Sequence, residues 1–198
     1  MSLRISRVFR MLLFPLLSLP LLAACAGANH GEVLADALYA GCKAECNFTL
    51  TAKDTTVEGV MHIEKGDRLT VDILEPQPYT GIRVETDCSG NNELFGIDYD
   101  GVSVTVPKDM LFRFGLLCAP FEDGFAAKIE ALPPDAFEEY GEEGDYSVSF
   151  PYGDGSGSVV FDGRSGIPKT TEIHAGGTTV RLSVLRFERM ENSTEQYK

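Results

Sequence analysis

Arg68-Leu69-Thr70-Val71-Asp72-Ile73-Leu74 alternates apolar and polar side chains through Leu69, Val71 and Ile73. A period of two marks a half-buried β-strand, with one face toward a core and the other toward water. The same alternation extends in both directions. Phe48, Leu50 and Ala52 oppose Thr49 and Thr51, and Ile82 and Val84 oppose Arg83 and Glu85. Val102, Val104 and Val106 oppose Ser103 and Thr105, and Tyr146, Val148, Phe150 and Tyr152 oppose Ser147 and Ser149. Turn residues separate the runs: Lys53-Asp54, Lys65-Gly66-Asp67, Pro76-Gln77-Pro78, Ser89-Gly90-Asn91-Asn92 and Asp100-Gly101. A turn every 10 to 12 residues, roughly, describes an antiparallel meander rather than βαβ units.

Two stretches keep a helical period instead. Val33, Leu34, Ala37, Leu38 and Gly41 form one stripe, which predicts a helix over residues 32–46. Phe121, Phe125, Ile129 and Leu132 form another, which predicts a helix over residues 120–132 stopped by Pro133-Pro134. The expected fold is therefore mainly β, of the α+β class. It is a strongly curved antiparallel sheet of nine or ten strands with two helices to cover it. Large antiparallel sheets curl, and the concave face must be filled or covered. Incomplete filling would leave a cavity for a hydrophobic ligand. Its candidate lining is Leu34, Leu38, Phe48, Leu50, Met61, Ile63, Leu69, Val71, Ile73, Ile82, Val84, Phe125, Ile129, Tyr146, Val148 and Phe150, with the two helices as its lid. Other large side chains, Tyr79, Tyr99, Tyr140, Tyr152, Phe95, Phe112 and Phe114, read mostly as core packing, with some of them joining that lining.

The N-terminus reads as an address. Arg4, Arg7 and Arg10 precede an apolar run from Met11 to Leu22, which ends in Leu22-Ala23-Ala24-Cys25. This resembles the lipobox of bacterial lipoproteins. The resemblance implies a signal peptide over residues 1–24 and a mature N-terminus at Cys25 carrying the lipid, with a tether over residues 25–31. The folded domain is then 32–188 and the polar tail 189–198. Dual acylation suffices for stable anchoring. The implied place is the cell envelope, on the outer face of the plasma membrane or on the outer membrane.

The 198 residues carry a formal charge of −13. The signal segment would take Arg4, Arg7 and Arg10 with it and no acid, leaving −16. Such a surface argues against nucleic acid, whose binders present a basic face. It is also repelled by anionic lipids, so the anchor must hold the body at the membrane.

Residues 57–63, 68–74, Glu75-Pro76 and 81–84 resemble the opening of the LolA/LolB-like fold. Asp162-Gly163-Arg164-Ser165-Gly166-Ile167-Pro168 looks like a late hairpin of that family, followed by a strand over 180–187. The resemblance implies that the curved antiparallel sheet forms an unclosed half-barrel covered by two helices, that it binds or transfers acyl chains, lipids or lipoproteins, and that the protein is a monomer. The rival reading is an envelope lipoprotein with a packed core that docks a partner and binds no ligand.

Enzyme signatures are missing: there is no Gly-x-Ser-x-Gly elbow, His-Glu-x-x-His or P-loop. The three histidines, His30, His62 and His174, are scattered along the chain. The expectation is no catalysis, no cofactor and no metal. Cys42, Cys46, Cys88 and Cys118 form an even set in an exported chain, which suggests disulfides. The pairings considered are 42–118 with 46–88, or 42–88 with 46–118; free thiols are the alternative. The acidic run Asp135, Glu138, Glu139, Glu142, Glu143 and Asp145 reads as a solvated loop. The lipobox predicts that Cys25→Ser abolishes metabolic labelling with an alkyne fatty acid and shifts the protein from the membrane to the soluble fraction. Retained labelling would refute it.

Overall fold

The computed structural model describes residues 29–39, 41–64, 68–87, 94–141 and 144–190. The proposed signal peptide, Cys25, Cys88 and the end of the polar tail lie outside them. Among the described residues, eleven strands form one antiparallel sheet. They are β1 (Cys42–Ala52), β2 (Thr55–Glu64), β3 (Arg68–Glu75), β4 (Arg83–Asp87), β5 (Leu94–Tyr99), β6 (Val102–Pro107), β7 (Phe137–Tyr140), β8 (Asp145–Tyr152), β9 (Gly155–Asp162), β10 (Pro168–Ala175) and β11 (Thr178–Arg189). The order is β6-β5-β4-β3-β2-β1-β11-β10-β9-β8-β7, so β6 and β7 are edges and the sheet is unclosed. Three helices accompany it: α1 (His30–Tyr39), α2 (Phe112–Gly115) and α3 (Asp123–Glu130).

The alternation becomes an inner and an outer face. On β1, Cys42, Ala44, Cys46, Phe48, Leu50 and Ala52 are all buried on the inner face. The outer face carries cross-strand charge pairs. Arg83 Nε donates to Asp72 Oδ1 at 2.7 Å, and Arg181 Nε to Glu172 Oε2 at 2.7 Å. Such exposed pairs favour the register more than they stabilise the fold.

Curvature has identifiable causes. The register shifts at Glu45/Cys46 on β1, at Glu58/Gly59 on β2 and at Pro168/Thr170 on β10. Bulges of this kind bend a strand and raise its twist. Two inner-face glycines add to this. Gly59 pairs with Phe48 and Gly157 with Phe150, each ring lying over its glycine. A Cβ on Gly157 would meet the Phe150 ring at 2.7 Å.

Several expectations are corrected. The first helix stops at Tyr39, and the chain is a strand from Cys42 onward. Gly41 is where the change occurs: Met190 N donates to Gly41 O at 2.7 Å, and the Met190 side chain occupies the space of a Gly41 Cβ. The second helix covers Asp123–Glu130, preceded by a 3₁₀ turn over Ala119–Phe121. Part of the supposed acidic loop is the edge strand β7, fixed by burial of Phe137 and pairing with β8. Asp145 is largely buried and ion-paired with Lys169 Nζ at 2.7 Å. Val102 and Val104, expected to be half-buried, are 66% and 50% exposed, because none of the described elements covers their end of the inner face.

The late hairpin motif has a local explanation. Asp162 Oδ1 accepts from Arg164 N, Ser165 N and Ser165 Oγ, the last at 2.8 Å. Gly166 follows at φ +70°, and a Cβ there would strike Val33 O. The turn therefore seats α1 against the sheet rim. Those hydrogen bonds hold the Asp162 carboxyl below its ordinary range.

Gly59→Ala is expected to destabilise the fold by about 1–3 kcal/mol, the usual cost of overpacking. Its Cβ would meet Asp72 O at 2.1 Å and the Phe48 ring at 2.7 Å. A lowered urea midpoint checks this, and an unchanged midpoint would refute it.

Candidate functional site: an apolar cavity at the uncovered end of the sheet

The inner face carries two cores of different completeness. Over β8–β10, α1 and α3 supply Leu34, Leu38, Phe125, Ala126 and Ile129, which pack on Val148, Phe150, Val159, Phe161 and Ile173. The Phe125 ring meets Phe150 edge-on, with centroids 5.2 Å apart. Favourable aromatic geometry and full burial leave this half closed. Over β1–β5 neither of these helices is present. There Phe48, Met61, Ile63, Leu69, Val71 and Phe95 pack with Leu117, Cys118 and Phe121. The covering chain at this end is the irregular stretch 108–121, whose only α-helix is α2, four residues long.

That stretch leaves a cavity of about 460 Å³. Leu50, Val57, Ile73, Val84 and Ile97 form its strand wall, and Tyr79 and Ile82 come from the turn between β3 and β4. Met110, Leu111, Arg113 and Phe114 close the opposite side, with Ala52 and Thr55 at the β1–β2 turn. Tyr79 and Met110, 44% and 72% exposed, mark an opening to solvent. The apolar surface continues outward. Tyr99 pairs with Val102 and Ile97 with Val104, so all four share the cavity's face of the sheet. Apolar side chains gathered beside a cavity mouth mark an interaction surface more often than scattered ones do.

Of the sixteen expected lining residues, Leu50, Ile73, Ile82 and Val84 line this cavity. Phe48, Met61, Ile63, Leu69 and Val71 are core of the same half. Leu34, Leu38, Phe125, Ile129, Val148 and Phe150 belong to the closed core, and Tyr146 packs against it, stacked on His30 at 3.6 Å. The helices expected as the lid therefore fill the other half. Sequence reading placed Tyr79 and Phe114 among the large apolar side chains and missed Val57, Ile97, Met110, Leu111 and Arg113 as lining. Met110 to Phe114 have neither period, yet an apolar run carrying a single arginine was a visible signal.

None of the histidines lines the cavity. His62 lies on the outer face, and His174 is bonded there to Thr179 and Glu172. Among the described residues, no group of three or more His, Cys, Asp or Glu is placed to hold a metal ion. No described helix is long and apolar enough to cross a membrane.

Several solved structures are similar to the chain. The lipoprotein LppX of Mycobacterium tuberculosis is similar over 82% of this chain and 95% of its own, at 8% identity and a TM-score of 0.46. LprF of Mycobacterium bovis is similar over 80% and 92%, at 10% identity and a TM-score of 0.40. A LolA superfamily protein of Nitrosomonas europaea is similar over 84% and 96%, at 8% identity and a TM-score of 0.37. No family model and no curated protein matches the chain. At such identities and scores, the functional reading rests on the cavity itself.

Cys42, Cys46 and Cys118 are all buried, Cys46 as a free thiol, and Cys88 lies outside the described residues. Cys42 and Cys46 share the inner face of β1, four residues apart. Burial, reinforced by Cys42 and Glu45, pushes the Cys46 thiol up to about 12. At pH 8 its thiolate is then about one part in 10,000. Iodoacetamide at pH 8 should leave Cys46 unmodified in the folded protein and label it after unfolding, as read by peptide mapping. Rapid native labelling would refute this.

Proposed function

We propose that the protein is a lipid-anchored protein of the cell envelope that takes an apolar chain, such as an acyl chain, into the cavity between β1–β5 and the 108–121 stretch. The observation that carries this reading is the uneven covering of one curved sheet. Two helices close one half, while the other keeps an open, mostly apolar space of about 460 Å³. That volume lies within the roughly 300–1,000 Å³ of small-molecule sites. Affinity would come from burying methylenes, each worth about 0.8 kcal/mol, or roughly fourfold in Kd. Cys25 would supply the anchor. Catalysis has no support in the lining, since activating a nucleophile needs a paired base.

A second reading, a docking lipoprotein without a ligand, is favoured by the packing of most expected lining residues into cores. Titration with primary alcohols of increasing length separates the two. Under the ligand reading, each added methylene tightens binding until the cavity is full. Ile82→Arg, which places a charge on a half-buried wall position, should weaken dodecanol at least tenfold without changing the far-ultraviolet circular dichroism. Alcohols that do not bind at any length would leave the docking reading standing.

A further inference from the structure

The two edges of the sheet are built differently. β7 is four residues long and carries Glu138 and Glu139, the short, charged kind of edge that keeps another strand from adding. β6, Val102-Ser103-Val104-Thr105-Val106-Pro107, holds no charged residue in a chain of net charge −13. Its alternation of valines with hydroxyl residues suits a strand, and among the described strands it pairs with β5 alone. The β5–β6 hairpin fixes which of its backbone groups stay open. Asp100 and Gly101, at φ +52° and +77°, form a two-residue turn that closes on Tyr99 and Val102. That pair is hydrogen-bonded, so the alternation of an antiparallel ladder turns the N–H and C=O of Val102, Val104 and Val106 toward β5. Those of Ser103 and Thr105 point outward from the edge. Pro107, next in that series, has no N–H to offer and ends it.

We propose that β6 pairs antiparallel with β6 of a second copy of this chain, about a two-fold axis at Val104, and joins the two molecules into one continuous sheet. This departs from the monomer that the family resemblance implies, and it does not depend on what the cavity binds. The strand is self-complementary in that register. With Val104 opposite Val104, Ser103 meets Thr105 of the second copy and Thr105 meets its Ser103. These are the residues whose backbone groups are open, so each pair exchanges two N–H···O bonds and none of those groups is left over. A centre at Ser103 would set Thr105 against the turn residue Gly101, and one at Thr105 would set Ser103 against Pro107 and lose a donor. The side chains agree with the same centre. Val104 meets Val104 in a non-hydrogen-bonded pair, where side chains come closest, and Val102 meets Val106 on either side of it. The exposed valines, 66% and 50% for Val102 and Val104, thereby gain apolar neighbours. Charge does not oppose the seam. On the outer face Asp98 accepts from Ser103 Oγ at 2.6 Å, and Ser103 is followed by Thr105 and then Gly96 of the second copy. Three strand spacings, about 14 Å, separate Asp98 from that glycine with no second carboxylate between, more than a Debye length of about 8 Å. Because Val102 and Val104 continue the apolar surface beside the cavity mouth, the pairing sets both cavities on one face of the common sheet.

The test is disulfide crosslinking of the whole chain in intact producing cells, read by non-reducing electrophoresis after mild oxidation. Cβ atoms in a directly opposed pair lie about 4.5–5.5 Å apart, close to what a disulfide needs. Val104→Cys should therefore convert at least half of the protein to a band of twice the chain mass. Val102→Cys, whose two copies stand about 13 Å apart along the strands, should stay at the wild-type level. Thr105→Pro removes an open N–H without touching the β5 ladder. Added to Val104→Cys, it should cut the crosslink at least fivefold and leave the far-ultraviolet circular dichroism unchanged. Thr105→Lys, which keeps the backbone N–H and adds a charge to the edge, should do the same. Crosslinking at neither position, equal crosslinking at both, or a Val104→Cys crosslink that survives both Thr105 variants would overturn the inference. A Val104→Cys crosslink to a different protein would also overturn it and would give the edge to an extended partner segment instead.

Discussion

Two phenylalanine rings laid over two glycines set the shape on which everything else depends. Phe48 covers Gly59 on one side of the sheet, and Phe150 covers Gly157 on the other. Each pair lets a large ring occupy space that a neighbouring Cβ would have taken. Together with the bulges on β1, β2 and β10, they let the inner faces turn toward one another. An antiparallel sheet of eleven strands could otherwise stay open and shallow. Once curled, it has a concave face too wide for the available helices. α1 and α3 together span eighteen residues and reach one half. The remaining half is left to a stretch that is mostly not helical, and incomplete filling follows from geometry before any ligand is invoked.

The alternation of polar and apolar residues made much of this legible. It located the strands and their inner-face residues, because a strand's period is set by backbone geometry and survives in any context. It could not say what lies on the inner face. Val102 and Val104 have the same pattern as Val71 and Ile73, yet they are exposed while the latter are buried. The difference comes from whether another segment reaches that part of the sheet, which is a long-range property. The first helix was overrun for a related reason. Its stripe continues to Gly41, and only the return of β11, with Met190 against Gly41, commits the chain to a strand. β7 was hidden by its charge. Its carboxylates face water, and only Phe137 is buried, beside the ladder to β8.

The site was legible in part, and the missing part is physically consistent. Leu50, Ile73, Ile82 and Val84 lie on alternating runs and were found. Met110, Leu111 and Arg113 lie in a stretch without a period, shaped by packing rather than by local preference. Residues that close a cavity from above are often of this kind. A segment that satisfied a helical or strand period would pack its apolar stripe flush against the sheet and leave no space. The irregularity that defeated sequence reading is therefore linked to the existence of the cavity.

Charge completes the argument. The outer face spends its acids and bases on cross-strand pairs that hold register and add little stability. The excess acid keeps the body off anionic surfaces, so a lipid at Cys25 would be needed to hold the protein at a membrane.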